Sequence, residues 1–266
     1  MITDSFTMKK AALITGASSG IGLELARIFA REGFDLLITA RREDRLLSLK
    51  QDLEKEYGIK VHTFTVDLSL DDAPAAIFDF VKEENLEINT LINNAGIGDY
   101  GFFKDSDWSR LSVMIDLNIK SLTHLTHLFI PELLKHDEGY IMNVASTAAF
   151  QPGPLMSVYY ASKNYVLAFS EALSNELSDT NIYVSALCPG PTESEFQDVA
   201  NMKKSKLFDR FPVASSKDVA EYGYKSLMKG KRVAIYGIAN KIAPKFISLV
   251  PRCWVTAAVR KIQERK

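Results

Sequence analysis

Ala11-Ala12-Leu13-Ile14-Thr15-Gly16-Ala17-Ser18-Ser19-Gly20-Ile21-Gly22 is the stretch from which the rest of the chain can be read. Its first five residues form a short apolar run, the mark of a buried strand. From Gly20 the period changes to helical, with Ile21, Leu25, Ile28 and Phe29 on one face through Glu32. Three glycines lie at the junction. Gly16 allows a sharp turn, Gly20 lets the backbone approach a pyrophosphate, and Gly22 permits close packing of helix on sheet. The amides that open the helix, including those after Ser18 and Ser19, would face that phosphate with a partial positive charge. The spacing Gly-xxx-Gly-x-Gly is one residue longer than the usual dinucleotide fingerprint.

Outward from this turn the pattern repeats. Apolar runs at Asp35–Ala40, Val61–Val66, Thr90–Asn93, Tyr140–Ala145, Ile182–Cys188 and Val233–Tyr236 alternate with helical stretches at Glu43–Tyr57, Ala73–Glu83, Trp108–Leu134, Val158–Leu177 and Ser216–Met228. Strands apolar on both faces, alternating with helices, predict an α/β fold. The sheet is doubly wound and mostly parallel, with about seven strands flanked by helices. No linker or repeat interrupts the series, so residues 1–266 read as a single domain. Residues 1–100 are its dinucleotide-binding half, 101–215 carry the catalytic candidates and a substrate loop, and 216–266 hold the last helix, the last strand and a basic tail.

Composition narrows the function. A net charge of -1 offers no field for nucleic acid, and 47% hydrophobic residues exclude disorder. Cys188 and Cys253 make no disulfide framework, and no metal-ligand set is called for. The amino terminus lacks the apolar core of a signal peptide, and the run Phe246–Val259 is broken by Pro251 and Arg252. The expected location is therefore cytoplasmic.

Sheets of this kind bind ligands beyond the carboxyl ends of their strands. The second strand ends at Ala40, where an NAD enzyme carries an acid and this chain has none; Arg41 after it suits the 2′-phosphate of NADP(H), while in the alternative Arg41 and Arg42 solvate a helix start and Glu43 serves NAD(H). Tyr159 and Lys163 share one helix face at i, i+4, and a neighbouring ammonium lowers a phenol's pKa, making the pair a candidate acid/base. Ser146 follows the fifth strand, where its hydroxyl either orients a carbonyl oxygen or caps a turn.

Taken together, these residues resemble the short-chain dehydrogenase/reductase family. The TGxxxGxG turn matches Thr15–Gly22, the acid–apolar pair after strand three matches Asp67-Leu68, and Asn-Asn-Ala-Gly matches Asn93-Asn94-Ala95-Gly96. The family's Asn, Ser, Tyr and Lys fall on Asn118, Ser146, Tyr159 and Lys163, and its Pro-Gly motif on Pro189-Gly190, with Thr192 at the nicotinamide amide. The resemblance implies a Rossmann-like fold and NADP(H)-dependent hydride transfer between a carbonyl compound and an alcohol. In it Tyr159 exchanges the proton, Lys163 also holds the nicotinamide ribose, and Asn118 anchors a water. Tyr160, lacking a lysine four residues on, is read as a decoy. The alternative is a non-catalytic NADP-binding sensor or scaffold, which would have no use for those four residues together.

The segment Glu195–Pro212 is expected to cover the substrate with Phe196, Val199, Met202, Leu207, Phe208 and Phe211. Phe150, Pro154, Leu155 and Met156 are expected to face the same pocket, favouring a hydrophobic substrate. Family members assemble as homodimers or homotetramers. Leu122, Leu125, Leu128 and Phe129 on one helix, with Val166, Phe169 and Leu173 on another, are read as apolar enough to allow it. The tail Lys241–Lys266 reads as a helix packed on its own body or on a second subunit, with a peripheral membrane contact or a lid over a hydrophobic substrate, through Phe246, Ile247, Val250, Trp254 and Val255, as the alternative.

Overall fold

The computed structural model describes residues 10–196, 213–247 and 249–264. One seven-stranded sheet runs in the order β3-β2-β1-β4-β5-β6-β7. Its strands are β1 Ala11–Thr15, β2 Asp35–Ala40, β3 Val61–Thr65, β4 Ile88–Asn93, β5 Gly139–Val144, β6 Ile182–Cys188 and β7 Val233–Ile235. Every neighbouring pair is parallel. The architecture is the Rossmann-like one expected.

The strands alternate their side chains between two covered faces, as the pleat requires. Ala12, Ile14, Leu36 and Ile38 meet Leu25 and Phe29 of helix α1 (Gly20–Arg31) and Leu46 of helix α2 (Glu43–Tyr57). Leu13, Leu37 and Leu91 point the other way. They pack on Ile77 of α3 (Ala73–Glu83), Phe129 of α5 (Leu122–Leu133) and Leu173 of α6 (Ser157–Glu176). Helix α7 (Ser216–Leu227) adds Val219, Ala220 and Leu227 to the first face.

The long helix read at Trp108–Leu134 is interrupted. Helix α4 (Trp108–Ile115) passes into a π-helical turn over Asp116–Ser121 before α5 begins. Such turns widen the helix by one residue and re-aim side chains, often at functional sites. Of the residues read as a subunit face, Leu122, Leu125, Phe129, Val166 and Leu173 are buried in the chain's own core, while Leu128 and Phe169 are half-buried against it. The apolar stripe on each helix points at the sheet.

The chain leaves β1 toward β2 and β3, then returns to the far side of β1 as β4. Beyond the ends of β1 and β4 the following segments diverge, and a crevice opens there. The glycine turn closes its floor. Gly16 and Gly20 sit at φ +68° and +58°, where a side chain is strained. A Cβ on Gly22 would lie 2.4 Å from Asn94 Nδ2 and 2.4 Å from the Gly16 carbonyl oxygen. Gly22→Ala is therefore expected to cost about 1–3 kcal/mol, read as a lower urea midpoint with an unchanged slope.

Candidate active site

A single cavity of about 860 Å³ extends from the glycine turn, across the carboxyl ends of β1, β4 and β5, to the carboxyl-terminal helices. Those helices are α8 (Ile238–Ile247) and α9 (Arg252–Gln263). Of the residues singled out from sequence, Gly16, Ser18, Ser19, Gly20, Ile21, Arg41, Asp67, Leu68, Ala95, Gly96, Ser146, Tyr159, Lys163, Pro189, Gly190 and Thr192 all line it.

Three others stand behind the wall. Gly22 makes room for the turn, as above. Asn93 is buried and donates to Thr126 Oγ1 at 3.0 Å and Asn143 Oδ1 at 2.9 Å, so it braces strand ends rather than reaching a ligand. Its neighbour Asn94, not singled out from sequence, lines the cavity and donates to the Thr15 and Gly16 carbonyls at 2.9 and 3.2 Å. Asn118 in the π-helical turn is also buried. Its Nδ2 donates to Ile97 O (2.9 Å) and Ser162 Oγ (3.1 Å), and its Oδ1 accepts from Ile97 N (3.0 Å).

The strand-end hydroxyl and the two helix residues converge. Ser146 Oγ accepts from Ala148 N at 3.0 Å, capping a 3-10 turn, and its hydroxyl lies within electrostatic reach of the Tyr159 phenol. Burial raises the Tyr159 pKa to about 12, with the serine hydroxyl pulling the other way. The ammonium of Lys163 sits 5.9 Å from the ring centre, and burial outweighs the lowering expected from it. Lys163 itself is 6% exposed, donates to Val144 O at 2.8 Å, and is lowered by burial to about 8.

At the other end of the cavity the arginines divide. Arg41 lies 3.7 Å from Asp67 and is mostly exposed. Arg42 reaches inward: Nε and Nη2 donate to Ser18 Oγ at 3.3 and 2.9 Å, and Nη2 also to Ser19 Oγ at 3.0 Å. Ser19 begins α1 without a side-chain cap, so the first-turn amides are left to a ligand. Positive-φ glycines, uncapped amides and a guanidinium beside them fit the phosphates of a dinucleotide. A tandem Arg-Arg after β2 was the signal for Arg42.

Most of the apolar wall comes from the carboxyl-terminal tail, the lid alternative of the sequence reading. Met156 lines the cavity, whereas Phe150, Pro154 and Leu155 do not; Leu155 takes φ +70° and turns away. Phe196 lines it and packs on Tyr159, ring centres 5.2 Å apart. Val199, Met202, Leu207, Phe208 and Phe211 fall outside the described residues. The tail supplies the rest: Phe246, Ile247, Val250, Trp254, Val255 and Val259 face the cavity. Gln263 pins α9 in place, accepting from the Tyr100 hydroxyl through its carbonyl and donating from Nε2 to the Tyr160 hydroxyl. Tyr160 is thus an anchor for the wall. No helix among the described residues is long and apolar enough to cross a membrane.

Comparison with known proteins agrees. The family model described as short chain dehydrogenase matches residues 10–205. Sulfoacetaldehyde reductase 2 of Chromohalobacter salexigens is 38% identical over 191 residues, covering 71% of this chain and 75% of that protein. Mouse 17-beta-hydroxysteroid dehydrogenase type 3 is 34% identical over 218 residues, 80% of this chain and 70% of its own. A solved short-chain dehydrogenase from Sphingobium yanoikuyae, in complex with NADPH, superposes with a TM-score of 0.81 at 33% identity over 90% of this chain and 91% of that one.

The buried lysine makes a stability prediction with a definite sign. Its folded pKa lies near 8, below the 10.5 of a solvated lysine, so below pH 8 folding must bury a charge. That cost fades as pH rises from 8 to 10.5, because the unfolded chain alone then holds the proton. Lys163→Met is therefore expected to unfold at higher urea than wild type at pH 7, with the gap narrowing toward pH 10.5. A constant gap would contradict burial as the cause.

Proposed function

The chain belongs to the short-chain dehydrogenase family, and from that premise we propose that it is an NADP(H)-dependent oxidoreductase interconverting a ketone or aldehyde with its alcohol, on a hydrophobic substrate. The observation that carries the reading is Ser146, Tyr159 and buried Lys163 lining one cavity with the glycine turn and Arg42.

When bound, the dinucleotide supplies the hydride. The chain's share is a proton and a set of positions. Tyr159, held in its neutral form to about pH 12, is the acid that donates to the substrate oxygen. Ser146 Oγ donates a hydrogen bond to the same oxygen and stabilises charge as it develops. Lys163, an ammonium below about pH 8, favours the phenolate left behind. Asn118 is a positioning residue: all its side-chain bonds tie Ile97, after β4, to Ser162, between Tyr159 and Lys163.

Arg42, with Ser18 and Ser19, supports the 2′-phosphate reading, the guanidinium offering a charge-assisted fork. The two relatives are named for very different compounds, sulfoacetaldehyde and a 17-beta-hydroxysteroid, so the substrate class rests on this chain's own wall. Phe196, Phe246, Ile247, Val250 and Trp254 suit an apolar body.

The test is loss of NADPH absorbance against a panel of apolar ketones and aldehydes, with NADH and Tyr159→Phe as controls. Tyr159→Phe is expected to lower kcat by about 10²–10⁴. Turnover that survives this change, or runs faster with NADH, overturns the reading at the tyrosine or at Arg42 respectively. In the wild type the reductive rate is expected to fall as pH rises through about 8, where Lys163 loses its proton.

A further inference from the structure

Three consecutive residues after β6 cross the cavity's dinucleotide side. Ser194 lies over the glycine turn, its Cβ 3.1 Å from where a Cβ on Gly20 would sit. Phe196 rests on the Tyr159 ring at 5.2 Å. Between them Glu195 extends to the start of α2, where Oε2 accepts from Arg42 Nη1 and Oε1 from Arg45 Nη1, each at 2.6 Å. Partly exposed ion pairs of long side chains contribute little when both ends are free to move. This one is held on both flanks, its backbone fixed between contacts at Gly20 and Tyr159.

The consequence lies in what the carboxylate occupies. Arg42 commits Nε and Nη2 to Ser18 and Ser19, and Glu195 takes the remaining outward nitrogen. The ionisable side chains lining this end of the cavity are Arg41, Arg42, Asp67 and Glu195, two of each sign. With Glu195 charged they sum to zero, facing what would be a phosphate dianion. The two arginine bonds hold the carboxyl down at about pKa 2, so Glu195 is charged at neutral pH.

We infer that Glu195 sets cofactor selectivity by occupying, from within the chain, the guanidinium donors that a 2′-phosphate requires, so that NADP(H) binds in competition with this carboxylate and NAD(H) does not. The inference rests on the NADP(H) reading of Arg42. It assigns a specificity role to a residue outside the strand-two position that usually decides between the cofactors. The wild-type preference is then a balance: Arg42 attracts the phosphate, and Glu195 holds the attraction down.

Direct binding tests this without any substrate. NADPH and NADH are titrated against the full chain by nicotinamide fluorescence for wild type, Glu195→Gln and Glu195→Ala. Adenosine 2′,5′-bisphosphate and 5′-AMP serve as displacing probes lacking the nicotinamide. Removing the charge is expected to tighten NADPH and the bisphosphate by about three- to tenfold, with NADH and 5′-AMP unchanged. Raised salt should shrink the difference. Equal shifts for both cofactors, no shift, or weaker NADPH binding overturns the inference, the last by showing that Glu195 props Arg42 in place. The NADP(H) reading fails separately, in the wild type alone, if NADH binds tighter than NADPH. A selective gain for NADPH in Glu195→Gln would still support the role of Glu195.

Discussion

The site depends on one buried hydroxyl. Thr15 Oγ1, at the last residue of β1, donates to the Ile92 carbonyl at 3.2 Å and accepts from the amides of Asn94 and Ala95 at 2.9 and 3.0 Å. Those three bonds use the whole capacity of a hydroxyl. They join β1 to β4 at the point where the two strands' continuations part, and where backbone groups would otherwise lose their ladder partners. Asn94 returns the favour through its amide to Thr15 and Gly16, so the glycine turn and the end of β4 are one rigid piece. A crevice between strands needs its lips fixed, and here both are fixed to each other.

A second polar chain does the same for the proton-transfer residues. Asn93 of β4 bonds Asn143 of β5, which donates to Ser170 of α6 at 2.9 Å, and Ser170 donates to Val166 O one turn back. Helix α6 is thereby registered against the strand ends, with Lys163 anchored on Val144 O of β5. The hydrogen bonds of this buried network rigidify the core, with Asn93 Oδ1 left without a partner among the described residues. They hold in place a lysine and a tyrosine that burial drives away from their charged forms.

Much of this was legible from residue order. The alternation of apolar runs and helical periods gives the sheet and its winding, and the turn chemistry of Thr15–Gly22 locates the crevice. Glycines, a serine at a strand end and a Tyr-Lys pair are local signals, so Gly16, Ser146, Tyr159 and Lys163 could be named in advance. What could not be read depends on distant pairing. Asn93 and Asn94 are adjacent and alike, and only the pleat decides which faces the core and which the cavity. The stripes of α5 and α6 look the same whether a sheet or a second subunit covers them. A phenol's pKa depends on burial as much as on the nearest ammonium. Arg42 and Glu195 stand far apart in the chain, and no spacing rule links them.

The carboxyl-terminal helices have a different bearing. The stretch matched by the family model ends at residue 205, while α8 and α9, which wall the far side of the cavity, lie wholly beyond it. Gln263 docks this wall through two tyrosine contacts, and no strand of the sheet passes through it. The proton-transfer residues and this apolar wall therefore lie on separate lengths of the chain. Drift in the last thirty or so residues can retune what fits while leaving the hydride chemistry and the sheet untouched.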